Sequence, residues 1–332
     1  MKKSHVWVWV VFTCFLFTLI LVSPWSTDCE AKQYRIGIST IATHPALDTA
    51  RKGFLDQMAE EGFKDGENVK YNMANAEGDM TLAASIAQKF VSQKVDLILA
   101  ITTPIVQASA AAVKGTDIPV VFSCVTDPVA AGVVKSWGKP GGQVTGASDW
   151  ADVAHQAGLI KQVLPNVKRV GTIFNAGEAN SRVQVAELKK AAPGLGIDEV
   201  VEANVATTAD VMLTARSLVG RVDAIWFPTD NVVVSALEAL VKVCEDNKIP
   251  LFGSDTNQVE RGVIASSGIN FYDVGRESAK MAARILKGAS PADIPVSKGK
   301  MTDLYVNPSA AKRMGVTIPQ VVMTKATKVI DK

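Results

Sequence analysis

Residues 97–104 read LILAITTP: five apolar residues, two threonines and a proline. An unbroken apolar run of that length suits a strand buried on both faces, the kind that parallel sheets contain. The same order of apolar strand, polar cluster and helix recurs along the chain. Val120–Cys124 runs into Val125, Thr126, Asp127 and Pro128. Val170–Phe174 runs into Asn175–Ser181, and Ala224–Phe227 into Pro228, Thr229, Asp230 and Asn231. Strands that alternate with helices imply parallel sheets. In a parallel sheet all these clusters lie at one edge, the carboxyl ends of the strands, where open α/β sheets bind ligands. The expected fold is therefore α/β: two parallel-sheet lobes with a ligand cleft between them.

Working outward, the spacing predicts strands at Tyr34–Ser39, Val69–Met73, Leu97–Ile101 and Ile118–Cys124, then a short strand at Val144–Gly146 after the Pro140-Gly141-Gly142 break. Helices are expected at Ala46–Glu61, Thr81–Gln93 and Pro104–Val113, with a short one from Pro128. In the first of these Leu47, Ala50, Phe54 and Met58 share a face. Pro104, Pro128 and Pro308 come after Thr103, Asp127 and Asn307, a capping residue with proline at the first helical position. After Asp149 the alternation restarts, with helices at Val153–Leu164, Ser181–Ala191, Ala209–Val219, Val232–Asn247 and Asp273–Leu286. The strands between them are Val170–Phe174, Glu199–Ala203, Ala224–Phe227, Pro250–Gly253 and Val263–Ser266, and Leu304–Val306 is a further candidate. The expected organisation is a leader over 1–31, a first lobe from 32–148 plus about 272–290, and a second from 149–271 plus about 300–320.

The leader has Lys2 and Lys3, an apolar run Val6–Val22, and a small-x-small site ending at Ala31. It reads as a secretory signal peptide cleaved after Ala31, with an uncleaved membrane anchor as the rival reading. Of 332 residues, 35 are basic and 33 acidic, so no basic footprint for nucleic acid exists. Past the leader the cysteines are Cys124 and Cys244, expected as two separate buried thiols.

A catalytic set is not apparent. The chain has no dinucleotide fingerprint, phosphate loop or nucleophile elbow. His44 and His155 lie in different halves with no metal-ligand spacing, so neither metal nor cofactor is expected. Asp127 and Asp230 sit at strand ends, one per half, and an exported hydrolase could use such a pair. Asp127 also reads as a helix cap.

The clusters do suit a free amino acid. A carboxylate wants hydroxyl donors and the N–H groups of a helix start, which Thr102 and Thr103 supply. Thr103 alone would serve as a cap, leaving Thr102 without a structural reason to be polar. An ammonium needs a carboxylate when buried. Asp230 fits, since Asn231 alone would cap the next helix. Asn180 and Ser181 add polar contacts or cap their own helix, and His44 lines the cleft or caps the helix after it.

Taken in order, His44–Asp48, Thr102-Thr103-Pro104, Pro119–Phe122 with Val125–Pro128, Gly141–Gly146, Glu178–Ser181 and Pro228–Asn231 resemble the ABC transporter substrate-binding family that includes tryptophan- and tyrosine-type binders. The resemblance spans about Tyr34 to Pro319. It implies a type I periplasmic-binding fold, no catalysis, and an aromatic amino acid as ligand. It also implies delivery to an inner-membrane permease driven by a separate ATPase, and a monomer outside the cytoplasm. It places the head group at Thr102, Thr103 and Asp230, with Glu178–Ser181 and Ser39–His44 lining the rest. Trp226-Phe227 is bulkier than the usual pair before Pro228. The alternatives are an exported enzyme acting through Asp127 and Asp230, which predicts turnover, and a ligand-sensing ectodomain, which predicts an uncleaved anchor.

Overall fold

A computed structural model describes residues 32–300 and 303–331. The leader and its cleavage site lie outside the described residues. Among the described residues two sheets form, each with its own hydrophobic core. The first holds β1 (Tyr34–Thr40), β2 (Val69–Asn75), β3 (Leu97–Ile101), β4 (Val120–Ser123), β5 (Val144–Ser148) and β11 (Ser297–Lys298), all parallel. Their order across the sheet is β11-β5-β4-β3-β1-β2. The second comprises β6 (Arg169–Phe174), β7 (Glu199–Asn204), β8 (Ala224–Trp226), β9 (Leu251–Phe252), β10 (Ala265–Gly268), β12 (Asp303–Val306) and β13 (Lys328–Val329). Its order is β13-β12-β10-β9-β8-β6-β7. The α/β class with two lobes expected from the sequence is what the chain adopts.

The reason lies in the strands themselves. Every residue of β3 is buried, and each fully buried large aliphatic contributes about 1.5–3 kcal/mol. That exceeds the roughly 1–2 kcal/mol per residue needed to fix the backbone. Helices then cover both faces. They are α1 (Pro45–Glu60), α2 (Met80–Ser92) and α3 (Thr103–Ala112) in the first lobe. In the second they are α4 (Val153–Val163), α5 (Ala179–Ala191), α6 (Val211–Arg216), α7 (Asn231–Ser235) and α8 (Leu237–Asn247). Helix α9 (Phe271–Leu286) belongs to the first core, against α1, and α10 (Pro308–Arg313) joins the second.

Helices α1 and α9 meet through glycine. A Cβ on Gly53 would stand 2.1 Å from the Tyr272 carbonyl oxygen, and one on Gly275 would stand 1.9 Å from that of Ala50. Close approach here brings Leu47 and Phe271, at the amino ends of the two helices, to the same region of the interlobe cleft.

Several local expectations change. No helix starts at Pro128: Asp127 accepts from the Val129 and Ala130 N–H groups, and Gly132, at φ +73°, closes the turn. The helix expected over 232–247 is two helices. Ser235 donates back to the Asn231 carbonyl at 2.7 Å, a contact that bends helices, and the break falls at Ala236. The helix expected over 209–219 begins as a 3₁₀ turn closed by a Thr207–Asp210 capping box and ends at Arg216. Strand β12 runs antiparallel to β10. It enters the second sheet from the crossover side, whereas β10 runs toward that side.

The chain passes between lobes after β5, after β10 and between β11 and β12. These crossovers touch. The Gly299 N–H donates to the Ser148 carbonyl at 3.1 Å, and a Cβ on Gly299 would meet Ile269 at 2.8 Å. Ser148 is itself anchored, donating its hydroxyl to the Thr126 carbonyl at 2.9 Å. The carboxyl ends of β1, β3, β4 and β5 thereby face those of β6, β8 and β9 across one cleft.

Candidate functional site: the interlobe cavity

A small cavity of about 20 Å³ lies in the cleft. The first lobe and its crossovers contribute His44, Leu47, Thr102, Thr103, Cys124, Thr126, Asp149 and Phe271. Asn180, Thr229, Asp230, Asn231, Val234, Asp255 and Gln258 come from the second. The lobes are closed on each other. Thr126 and Thr229 hydroxyls approach to 3.4 Å, and His44 reaches the Asn231 side chain.

The wall is lined by polar atoms that the protein leaves without partners. They are the hydroxyls of Thr102 and Thr103, Nε2 of Gln258, Oδ1 of Asp149, Oδ1 of Asn180 and Nδ1 of His44. Native interiors satisfy nearly all buried polar groups, and six of the described residues' unpartnered buried polar atoms gather around this one cavity. Burial and the positive charge of Arg261 lower the His44 pKa to about 4, so its ring is neutral at pH 7. The set thus holds hydroxyl and amide donors, oxygen acceptors and a neutral imidazole nitrogen.

Backbone strain falls in the same place. Thr102 has φ +92° and Cys124 has φ +58°, each just past the end of its strand. A left-handed residue with a β-branched side chain costs on the order of 1–3 kcal/mol and persists where its surroundings fix it. Thr102 occupies the N-cap position of α3 but its side chain makes no capping bond, and Thr103 lies inside the helix. Neither threonine is the plain cap that the sequence also allowed.

Asp230 is placed differently from the expectation. It is fully buried, and both its oxygens serve the protein. Oδ2 accepts from the Asn175 N–H and the Ser181 hydroxyl, both at 2.6 Å, and Oδ1 accepts from the Val233 N–H at 2.9 Å. Asp230, not Asn231, caps α7. Asn231 instead donates its side-chain amide to Glu178 at 2.6 Å, as does Asn180 at 2.9 Å. Burial and the neighbouring Asp230 push the Glu178 carboxyl up. Ser181 supports Asp230 and is not among the lining residues. Asp127, half-buried, caps its turn outside the cavity, so the paired carboxylates of the enzyme reading do not meet.

Sequence reading missed Asp149 and Asp255. Both are buried at the cavity wall, Asp149 just past β5 and Asp255 just past β9. Burial raises each carboxyl to about 6 despite hydrogen bonds from Thr126 and from Asn257 that act the other way. Apolar walls come from Leu47, Val234 and Phe271. Cys124 is a free, buried thiol in the wall, raised by burial and by Asp149, while Cys244 is free in the second core. Trp226 and Phe227 are both fully buried in that core.

Residues 35–330 match a family model described as ABC transporter substrate binding protein. The chain belongs to this family. Its members are solute receptors that work outside the cytoplasm and hand small solutes to a membrane permease. A relative named tyrosine-binding protein, from Clostridioides difficile (strain R20291), is 42% identical over 288 residues, covering 87% of this chain and 82% of the relative. A solved structure from Streptococcus pneumonia, an ABC domain in complex with L-Trp, superposes with TM-score 0.86 at 38% identity, covering 90% of this chain and all (100%) of that one. The ligand-free, open structure of a substrate-binding protein with adhesive properties from Clostridium difficile gives TM-score 0.68 at 40% identity, with 90% and 99% covered. At nearly equal identity, this substrate-binding protein superposes better on the ligand complex than on the open form, in keeping with its cross-lobe contacts.

Proposed function

We propose that this substrate-binding protein is the receptor for an aromatic amino acid, exported by its leader with cleavage after Ala31, acting as a monomer, and serving an inner-membrane permease with a separate ATPase. The observation that carries the reading is the ring of six unpartnered polar atoms around one closed cavity with apolar walls. Donors and acceptors are both present, as a zwitterion requires, and Leu47, Val234 and Phe271 suit an apolar side chain. The named ligands of the two relatives, tyrosine and L-Trp, support the aromatic class.

In this reading the carboxylate sits at the Thr102 and Thr103 hydroxyls and the first N–H groups of α3, where the helix start favours an anion. The ammonium sits at Asp149, the wall carboxylate with an unpartnered oxygen. Asn180, His44 and Asn231 complete the enclosure. Asp230 and Ser181 hold the second-lobe wall in shape. Asp127 takes no part.

The test is a thermal-shift and calorimetric titration of the chain from Lys32 onward, unfolded and refolded to strip carried ligand. At a hundred times its dissociation constant, L-tyrosine or L-tryptophan stabilises the folded state by about 2.7 kcal/mol. No shift with any aromatic amino acid would overturn the ligand class.

A further inference from the structure

The cavity is lopsided in charge. Asp149, Asp230 and Asp255 line it and Glu178 stands behind Asn180 and Asn231, yet no lysine or arginine is among the lining residues. The cation acting on this wall is Arg261, which bears on Asp255 and His44, and its guanidinium is held by Glu238 through two contacts of 2.8 Å. The groups offered to a carboxylate carry no full charge: two threonine hydroxyls and the first N–H groups of α3 in the first lobe, and the Gln258 amide in the second.

The two ends of a zwitterion are therefore held unequally. Without the ammonium, the Asp149 oxygen stays buried with neither protein nor ligand partner, and such a charge is costly. Without the carboxylate, two hydroxyls and the first N–H groups of α3 lose an acceptor, but none of these carries a full charge, and the hydroxyls rotate toward water or toward each other. We propose that the cleft selects for the ammonium rather than for the whole zwitterion, so that it also binds arylalkylamines, the decarboxylated counterparts of aromatic amino acids, and rejects arylalkanoates. The aromatic half of this inference rests on the function proposed above; the charge half rests on Asp149, Asp255 and the absence of a lining cation among the described residues.

The experiment is calorimetry at pH 7.5 on the stripped chain with L-tyrosine, tyramine and 3-(4-hydroxyphenyl)propanoate, repeated with L-tryptophan, tryptamine and indole-3-propanoate. The amine is expected within about 100-fold of its amino acid. The alkanoate is expected at least about 1,000-fold weaker. Asp149→Asn narrows the gap between amine and alkanoate by at least about 10-fold. An alkanoate that binds as tightly as the amine overturns the inference, and so does an amino acid that binds while its amine does not. In that second case the receptor reading stands. Amine binding without amino-acid binding overturns the receptor reading and leaves the charge selection standing. Failure of all six compounds overturns both.

Discussion

Replacing Asp149 by Asn separates what the residue does for the ligand from what it does for the fold. Asp149 is buried, one of its oxygens has no protein partner, and its carboxyl titrates near 6 instead of 3.8. A rise of that size corresponds to about 3 kcal/mol of folding free energy lost at neutral pH. Asparagine keeps the size and an oxygen for Thr126 but carries no charge. Ligand-free Asp149→Asn is therefore expected to be more stable than the parent by about 1–3 kcal/mol, a melting temperature higher by roughly 2–6 °C in a chain of this length. Ligand binding moves the opposite way. Removing one member of a buried charge pair costs about 2–5 kcal/mol, or roughly 30- to 4,000-fold in dissociation constant. The assays are chemical denaturation of the stripped protein and titration with L-tyrosine and L-tryptophan. A variant that is less stable than the parent shows that the carboxylate is a structural group, and one that binds as tightly as the parent removes it from the head-group site. Either result refutes the reasoning.

Thr102→Val keeps the branched shape and deletes a hydroxyl that has no protein partner; binding should weaken by about 1–3 kcal/mol with little change in melting temperature, and an unchanged dissociation constant would make Thr102 purely structural. Asp230→Ala removes the α7 cap and strands the Asn175 N–H and the Ser181 hydroxyl. It should cost about 3–5 kcal/mol of stability, and urea denaturation matching the parent would show that this network is dispensable. Affinity should be full above about pH 7 and fall as acid protonates Asp149 and Asp255, both near 6, and then His44, near 4. All three changes disfavour a cation, so a calorimetric series from pH 7.5 to 5 that stays flat contradicts an ammonium at this wall. Gly275→Ala puts a methyl 1.9 Å from the Ala50 carbonyl oxygen, so both melting temperature and affinity should drop as α1 and α9 part, by about 1–3 kcal/mol or more of stability. A normal melting curve would mean the helices separate freely.

Much of the site was legible from the strand ends. The rule that polar residues just past a buried strand face the cleft located Thr102, Thr103, Asn180, Asp230, Asn231 and His44, all of which line the cavity. The same rule reaches Asp149 and Asp255, and it missed the first through a strand boundary and the second because it was not applied there. Ending the fifth strand at Gly146 instead of Ser148 left Asp149 in what read as a linker. Asp255 follows a strand that was expected, at Pro250–Gly253, but Ser254-Asp255 was not read as a polar cluster at its end.

Asp230 also lines the cavity, but with its oxygens already engaged. A helix cap and a ligand carboxylate look alike in sequence, because each is an acidic residue between a strand and a helix. What separates them is whether the oxygens are already filled. At Asp230 they are filled by Asn175, 55 residues away, and Ser181, 49 residues away. At Asp149 one oxygen is not. Distinguishing the two needs the packed lobes, since only folding decides which donors arrive. The same consideration explains why the strained Thr102 turn coincides with unpartnered hydroxyls. A chain selected for stability alone would place glycine at φ +92° and cap α3 with the side chain before it. This one holds Thr102 there, with no side-chain cap and its hydroxyl unpartnered, and in the proposed reading the stability given up is recovered when a ligand binds.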